Sequence, residues 1–299
     1  MKAMTKASGA AVRSAEATPA AETPSGKGAG DENFPVGSWL IAPALRPHVA
    51  LFYAFARAID DIADNPALAP EEKLRRLDGF EAAITGRELS DPAFAKAHRL
   101  RASLAETGVT PQHCVELIAA FKRDATRLRY RSWNELIHEY CMLSAAPVGR
   151  YLLDLHGEAK SDYPFSDALC NALQVINHLQ DCRDDYRALD RVYLPLDWME
   201  EDGAPVTALG DAKASPGLRA VLDRCLDGVA GLLVDARRLP GRMASRRLAY
   251  ESAAILALAE SLERRLRRQD PLAERVELGK PAALLVAAGG VLRCLLSRR

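Results

Sequence analysis

Apolar side chains recur at three- and four-residue intervals over most of the chain from Arg46 onward, and no stretch alternates convincingly with the two-residue period of a strand. Val49, Phe52, Tyr53, Ala56, Ile59 and Ala63 trace one such stripe and predict a helix over 46–64. Pro70-Glu71-Glu72 is a helix start, with the pattern running to Ile84. Two more helical patterns cover 91–105 and 110–129, the second opened by Thr110-Pro111 as N-cap and first-turn proline. Ser132 with Glu135 fits a capping box at the head of a helix to Leu155. Inside it the run Ser144-Ala145-Ala146-Pro147-Val148-Gly149 breaks the pattern. Its small side chains permit close approach by another helix or a ligand, and Pro147 predicts a kink. A long helix is predicted over 165–189, ended by Asp190, Arg191 and Tyr193-Leu194-Pro195. Patterns over 216–236, 245–268 and 281–296 complete the set. The expected fold is all-α, about ten helices around one cavity in a single domain over 31–299. Residues 1–30 carry almost no large apolar side chain, so they read as a disordered tail, and without an apolar h-region they are no secretory signal.

Composition narrows the function. Forty basic residues balance forty acidic ones, which gives no global drive toward nucleic acid. The six cysteines include no CxxC pair, so zinc-site spacing is missing and a reduced cytoplasmic setting is the simple expectation. No uninterrupted apolar run approaches about 18 residues, which argues against a transmembrane helix.

The chemistry lies in two acidic stripes. Asn177, Asp181 and Asp185 stand four apart, so one amide and two carboxylates share a helix face over roughly 12 Å. Asp60 and Asp64 repeat the spacing far upstream, on a face shared with Arg57, while Asp61 is expected to point away from it. Two such stripes face to face would form a cage of hard oxygen ligands. Mg²⁺ suits that cage, because it keeps waters and takes one or two carboxylates plus substrate phosphate oxygens. The competing reading is a solvated or ion-paired surface face, with Arg183 and Arg187 as partners for the second stripe. Those arginines lie on another side of the helix, and the first stripe is flanked by apolar residues. EF-hand, di-iron, Walker A, GxGxxG and serine-hydrolase patterns are absent from the sequence. Tyr53, Tyr140 and Tyr151 read as core aromatics, with Tyr53 the best placed to shield a carbocation through its π face. Arg57 and Arg191 have two readings, a clamp on diphosphate oxygens or a structural ion pair.

These residues carry a family resemblance. YAFARAIDDIAD resembles the first aspartate-rich motif of the squalene and phytoene synthases. Their second motif, Q-x-x-N-x-x-x-D-x-x-x-D, is matched by Gln174, Asn177, Asp181 and Asp185, and Tyr140-Cys141 with Val148-Gly149 resembles the segment between the motifs. The resemblance runs from about Glu32 to Pro281. It implies the terpenoid synthase fold, isoprenoid diphosphate chemistry, and Mg²⁺ bridged to diphosphate by Asp60, Asp64, Asn177, Asp181 and Asp185. It places Arg57 near the diphosphate and Tyr53 near the cation.

The chain departs from the common pattern of condensing members. Asn33-Phe34-Pro35-Val36 stands where they carry a Ser-rich segment, Gln180-Asp181 where they often have Arg-Asp, and SAAPVG in place of the usual AG-containing run. ENFPV, YCMLSAAPVG and NHLQDCRDDYRALDRVYLP resemble the hydroxysqualene-forming branch of bacterial hopanoid routes. That resemblance implies ionisation of presqualene diphosphate and capture of the rearranged cation by water, with Asn33, Tyr140, Gln174 and Arg191 at the substrate and a hydroxysqualene-reducing enzyme downstream. The alternatives are a synthase condensing two prenyl diphosphates to presqualene diphosphate, squalene or phytoene, and a non-catalytic assembly factor of the same fold. The arginines at 264, 265, 267 and 268 precede the apolar 281–296 stretch, which is too short to span a bilayer comfortably. The expectation is a soluble cytoplasmic protein with reversible contact on the inner membrane face; a packed terminal helix is the competing reading.

Overall fold

A computed structural model describes residues 20–23 and 40–297. The described residues are 72% helical and hold no strand, only an isolated bridge between Arg129 and Val192. Among the described residues, nine longer helices carry the fold: α1 (Arg46–Ala63), α2 (Pro70–Ile84), α3 (Ala95–Thr107), α4 (Gln112–Asp124), α5 (Ala146–Leu155), α6 (Tyr163–Leu189), α7 (Pro216–Ala236), α8 (Arg246–Leu266) and α9 (Lys280–Ser297).

Their boundaries follow local chemistry. Prolines open α1, α2, α6 and α7, where the missing N–H costs nothing. Ser215 and Ser245 cap α7 and α8, each hydroxyl accepting from an N3 amide. The capping box at Ser132 forms in half. Ser132 Oγ accepts from the Glu135 amide at 3.2 Å, but the Glu135 carboxylate turns to the Arg131 amide instead of that of Ser132. The expected kinked helix over 132–155 is broken more thoroughly than a kink. A short turn leads into π-helix over Leu136–Cys141, then Met142–Ser144, then a break at Ala145 with φ −116° before α5. Pro147 has no N–H to join the preceding turn, which accounts for the break.

Two apolar clusters divide the core. One gathers α1–α4, with Phe52, Phe55, Phe80 and Leu117 at its heart; the other gathers α6–α8 and the segments around them. Helix α5 belongs to both, placing Tyr151 and Leu155 in the first and Leu153 in the second. It lies close against α6 because residue 149 is glycine: a Cβ there would stand 2.3 Å from Ser166 Oγ.

One expectation changes. Within the stretch read as a disordered tail, residues 20–23 dock on the domain. The Ala21 amide donates to Ala93 O at 3.1 Å, Arg76 donates to Ala21 O at 2.7 Å, and the buried Glu22 pairs with Lys96 at 2.8 Å. Backbone and charge hold what side-chain hydrophobicity could not have announced. The rest of that stretch lies outside the described residues, as does Asn33. At the other end, α9 packs antiparallel on α8, with Gly290 against the Ala253 carbonyl. Among the described residues it is the one helix long and apolar enough to cross a membrane by length and composition. Its Leu284, Leu285, Leu292 and Leu296 are exposed.

Candidate active site

Between the two core clusters lies a cavity of about 300 Å³. Its walls are mostly apolar, with Phe52, Phe121, Leu169, Leu173 and Ile255 among the lining side chains. Tyr53, Arg57 and Asp60 of α1 share that lining with Gln174 and Asn177 of α6. The spacing read from the sequence therefore does put part of each motif on one cavity.

The carboxylates feel one another. Burial raises the Asp60 carboxyl well above its ordinary range, the charge of Asp64 raises it further, and Arg57 opposes both. Asp185 is pushed up to about 7, first by burial and then by Asp181 and Asp64. Asp64 acts on both, so the stripes of α1 and α6 lie within electrostatic reach across the bundle. Among the described residues, no group of three or more His, Cys, Asp or Glu stands close enough to hold a metal ion alone. The donors are nonetheless hard oxygens under mutual repulsion, which fits Mg²⁺ completing its shell with water and substrate phosphate oxygens.

Arg57 lies beside this group, 2.8 Å from Asp60 and 3.5 Å from Asp61. Asp61 was expected to point away; it is buried and shares the same guanidinium, because an i+4 neighbour of Arg57 remains within reach of so long a side chain. Arg183 and Arg187 do not neutralise the second stripe. Each donates to a backbone carbonyl, Leu272 O and Gly210 O respectively.

Arg191, expected at the substrate, is buried and bonded to Asp64, with further bonds to Ala63 O at 3.0 Å and Asp124 O at 3.2 Å. Tyr140 is buried too and does not line the cavity; its hydroxyl donates to Asp124 at 2.7 Å. Tyr193 donates to the other Asp124 oxygen at 2.9 Å. His178 stacks on Tyr193 at 3.7 Å and has its pKa lowered to about 3 by burial and by Arg191, so it is neutral; Gln174 lies 3.2 Å from its Nε2. Asp124 is the residue that sequence reading missed. Burial lifts its carboxyl to about 6 against the opposing charge of Arg191. The available signal was a carboxylate seven residues after Leu117, on the apolar stripe of α4.

An all-helical bundle with two acidic helices beside an apolar cavity is the terpenoid synthase fold. Residues 28–282 match the squalene/phytoene synthase family, and the chain belongs to it. Its curated relatives include the hydroxysqualene synthase of Rhodopseudomonas palustris, 46% identical and covering 94% of this chain and 95% of the relative. The hydroxysqualene synthase of Zymomonas mobilis is 44% identical, covering 91% of this chain and 92% of the relative. Among solved structures, squalene synthase HpnC from Alicyclobacillus acidocaldarius superposes with a TM-score of 0.68 at 33% identity, over 78% of this chain and 87% of that one. This protein is an enzyme of isoprenoid biosynthesis.

Proposed function

We propose that the chain converts presqualene diphosphate and water to hydroxysqualene and diphosphate, with Mg²⁺ as cofactor. The observation that carries this reading is the pairing of two repelling carboxylate stripes with an apolar cavity on the same helices. Asp60, Asp64, Asn177, Asp181 and Asp185 are the residues that would hold Mg²⁺. Bound there with the substrate, it would neutralise charge developing on the departing diphosphate. Arg57 adds a guanidinium donor beside that position. Arg191 acts one step back, fixing Asp64 and the end of α6. The apolar walls take the C30 hydrocarbon and keep bulk water from the cation. The Tyr53 ring faces the same space and offers a π surface to positive charge. The relatives named for hydroxysqualene support water as terminator over a second prenyl group.

Purified enzyme with presqualene diphosphate and Mg²⁺ in ¹⁸O-water tests the reading. The alcohol should carry the label, and added NADPH should not divert the product to squalene. Consumption of farnesyl diphosphate with accumulation of presqualene diphosphate would assign the chain to the condensing enzymes instead.

A further inference from the structure

His178 stands one turn past Gln174 on α6, and the two side chains meet: Gln174 Nε2 lies 3.2 Å from His178 Nε2. An amide nitrogen can only donate, so the ring nitrogen opposite it must accept. The contact therefore requires a neutral ring, which burial also favours. The ring is fixed in place as well. It stacks on Tyr193 with centroids 3.7 Å apart and planes 14° apart, and the Tyr193 hydroxyl donates to Asp124 at 2.9 Å. The proton of the neutral ring thus sits on Nδ1, and the Gln174 amide is held by its nitrogen.

Holding an amide by its nitrogen decides what its other end shows. Among the described residues this is the one hydrogen bond of the Gln174 side chain, so its carbonyl oxygen is uncommitted. The residue is half-buried and lines the cavity, and that oxygen is not among the sealed polar atoms that lack a partner. Were the amide turned over, its N–H groups would be the free end instead. The position on α6 makes the difference matter. Gln174 and Asn177 are three residues apart on one face and both line the cavity, with Gln174 about 4.5 Å nearer the start of the helix. Asp181 and Asp185 follow in the other direction. Gln174 is thus the cavity-lining polar residue of α6 that comes next after the acidic stripe, at its border with the apolar wall of Leu169 and Leu173.

We propose that His178 is a positioning residue: by accepting the Gln174 N–H it turns the amide's carbonyl oxygen to the cavity, where positive charge develops as diphosphate leaves. The inference rests on the reaction proposed above. In the ionising step the C–O bond to diphosphate breaks, its electron pair leaves on the diphosphate, and the carbon skeleton keeps the positive charge. With the diphosphate at the acidic stripe, that bond falls at the border where Gln174 stands. A carbonyl oxygen is the negative end of the amide dipole, and in an apolar cavity it lowers the energy of a nearby cation, whereas the N–H end would raise it. The dipole is set before the bond breaks, so nothing has to reorganise as the charge appears.

The first readout is the ring itself. In ¹⁵N-histidine-labelled enzyme in neutral buffer, with the His178 signals assigned by their loss in His178→Phe, Nε2 should be unprotonated and Nδ1 protonated. A proton on Nε2 would turn the amide round and overturn the assignment. The second readout is diphosphate release from presqualene diphosphate with Mg²⁺. His178→Phe keeps a ring against Tyr193 but no acceptor, and should lower kcat about tenfold with KM within about twofold of wild type. Adding Gln174→Glu should recover most of that loss, because a carboxylate shows an oxygen to the cavity whichever way it turns. His178→Leu replaces His178→Phe if the larger ring lowers the melting temperature. An unchanged kcat without the imidazole, or no recovery with Gln174→Glu in a folded protein, overturns the assignment. Wild-type enzyme that releases no diphosphate from this substrate refutes the reaction proposed above, and the catalytic part of the assignment falls with it; the ring signals still decide the orientation.

Discussion

The Arg191 guanidinium rests on the carboxylate of Asp64, tying the second residue past α6 to the residue that caps α1 across 127 positions of sequence. Arg191 is almost fully buried, whereas Asp64 keeps 38% of its side chain exposed. The pair therefore spends one carboxylate of the first motif on structure while leaving it open to the solvent side. Replacing Arg191 with Met should cost about 2 kcal/mol of stability, less than a fully buried pair because Asp64 is partly solvated. Turnover should fall as well, since Asp64 loses its anchor. Chemical denaturation and steady-state kinetics on one preparation check both, and a variant as stable and active as wild type would remove Arg191 from the account.

Charge-neutral amides in place of the carboxylates separate chemistry from fold. Asp60→Asn, Asp64→Asn, Asp181→Asn and Asp185→Asn should each lose about 100-fold or more in kcat while still folding. EDTA should abolish turnover and Mg²⁺ should restore it. Full activity in EDTA would defeat the metal assignment.

The raised carboxyls make a pH prediction for the metal-free protein. The folded Asp185 carboxyl titrates near 7, against 3.8 ordinarily, and Asp60 and Asp124 are displaced in the same direction. Between about pH 4 and pH 7 the folded state thus retains protons the unfolded chain has lost, and these groups make stability fall as pH rises through that window. On the proposed Mg²⁺ site, a divalent cation would take the place of those protons. The rise in Tm produced by Mg²⁺ with inorganic pyrophosphate should accordingly be larger at pH 8 than at pH 5.5. An equal rise at both would mean the carboxylates are not where the cation goes.

Helix α9 offers an apolar face next to cations. Lys280 begins it, and the antiparallel packing brings that end toward Arg264 and Arg268, exposed at the end of α8. We propose that this face rests reversibly on an anionic bilayer, where leucines enter the interface and the basic groups meet lipid charge. The protein should sediment with anionic liposomes, be released by about 0.5 M salt, and ignore neutral ones; Leu284→Glu with Leu285→Glu should abolish sedimentation. Indifference to both vesicle types, or a dimer dispersed by the same substitutions, would reassign the face to a second copy.

How far the sequence reached depended on the range of the forces involved. The bounds of α2 and α7 were legible to the residue because a proline marks each start. The two acidic stripes were legible because a period of four needs no tertiary knowledge. Tyr140, Arg191 and Asp124 were not, since what occupies them lies far off in sequence: Tyr140 and Tyr193 share Asp124 from 16 and 69 residues away. The docking of Ala21 and Glu22 was invisible for a related reason. It uses a backbone amide, a carbonyl and one ion pair, none of which leaves a hydrophobic pattern.

Helix α5 works as a party wall. Each neighbouring core leans on it from its own side, Tyr151 and Leu155 from one and Leu153 from the other, while Val148 and Gly149 look into the room between. A change on the room side leaves both outer sides standing. A lineage of such enzymes can therefore exchange one end product for another by refurnishing a few cavity positions at the head of this helix, without rebuilding either half of the house.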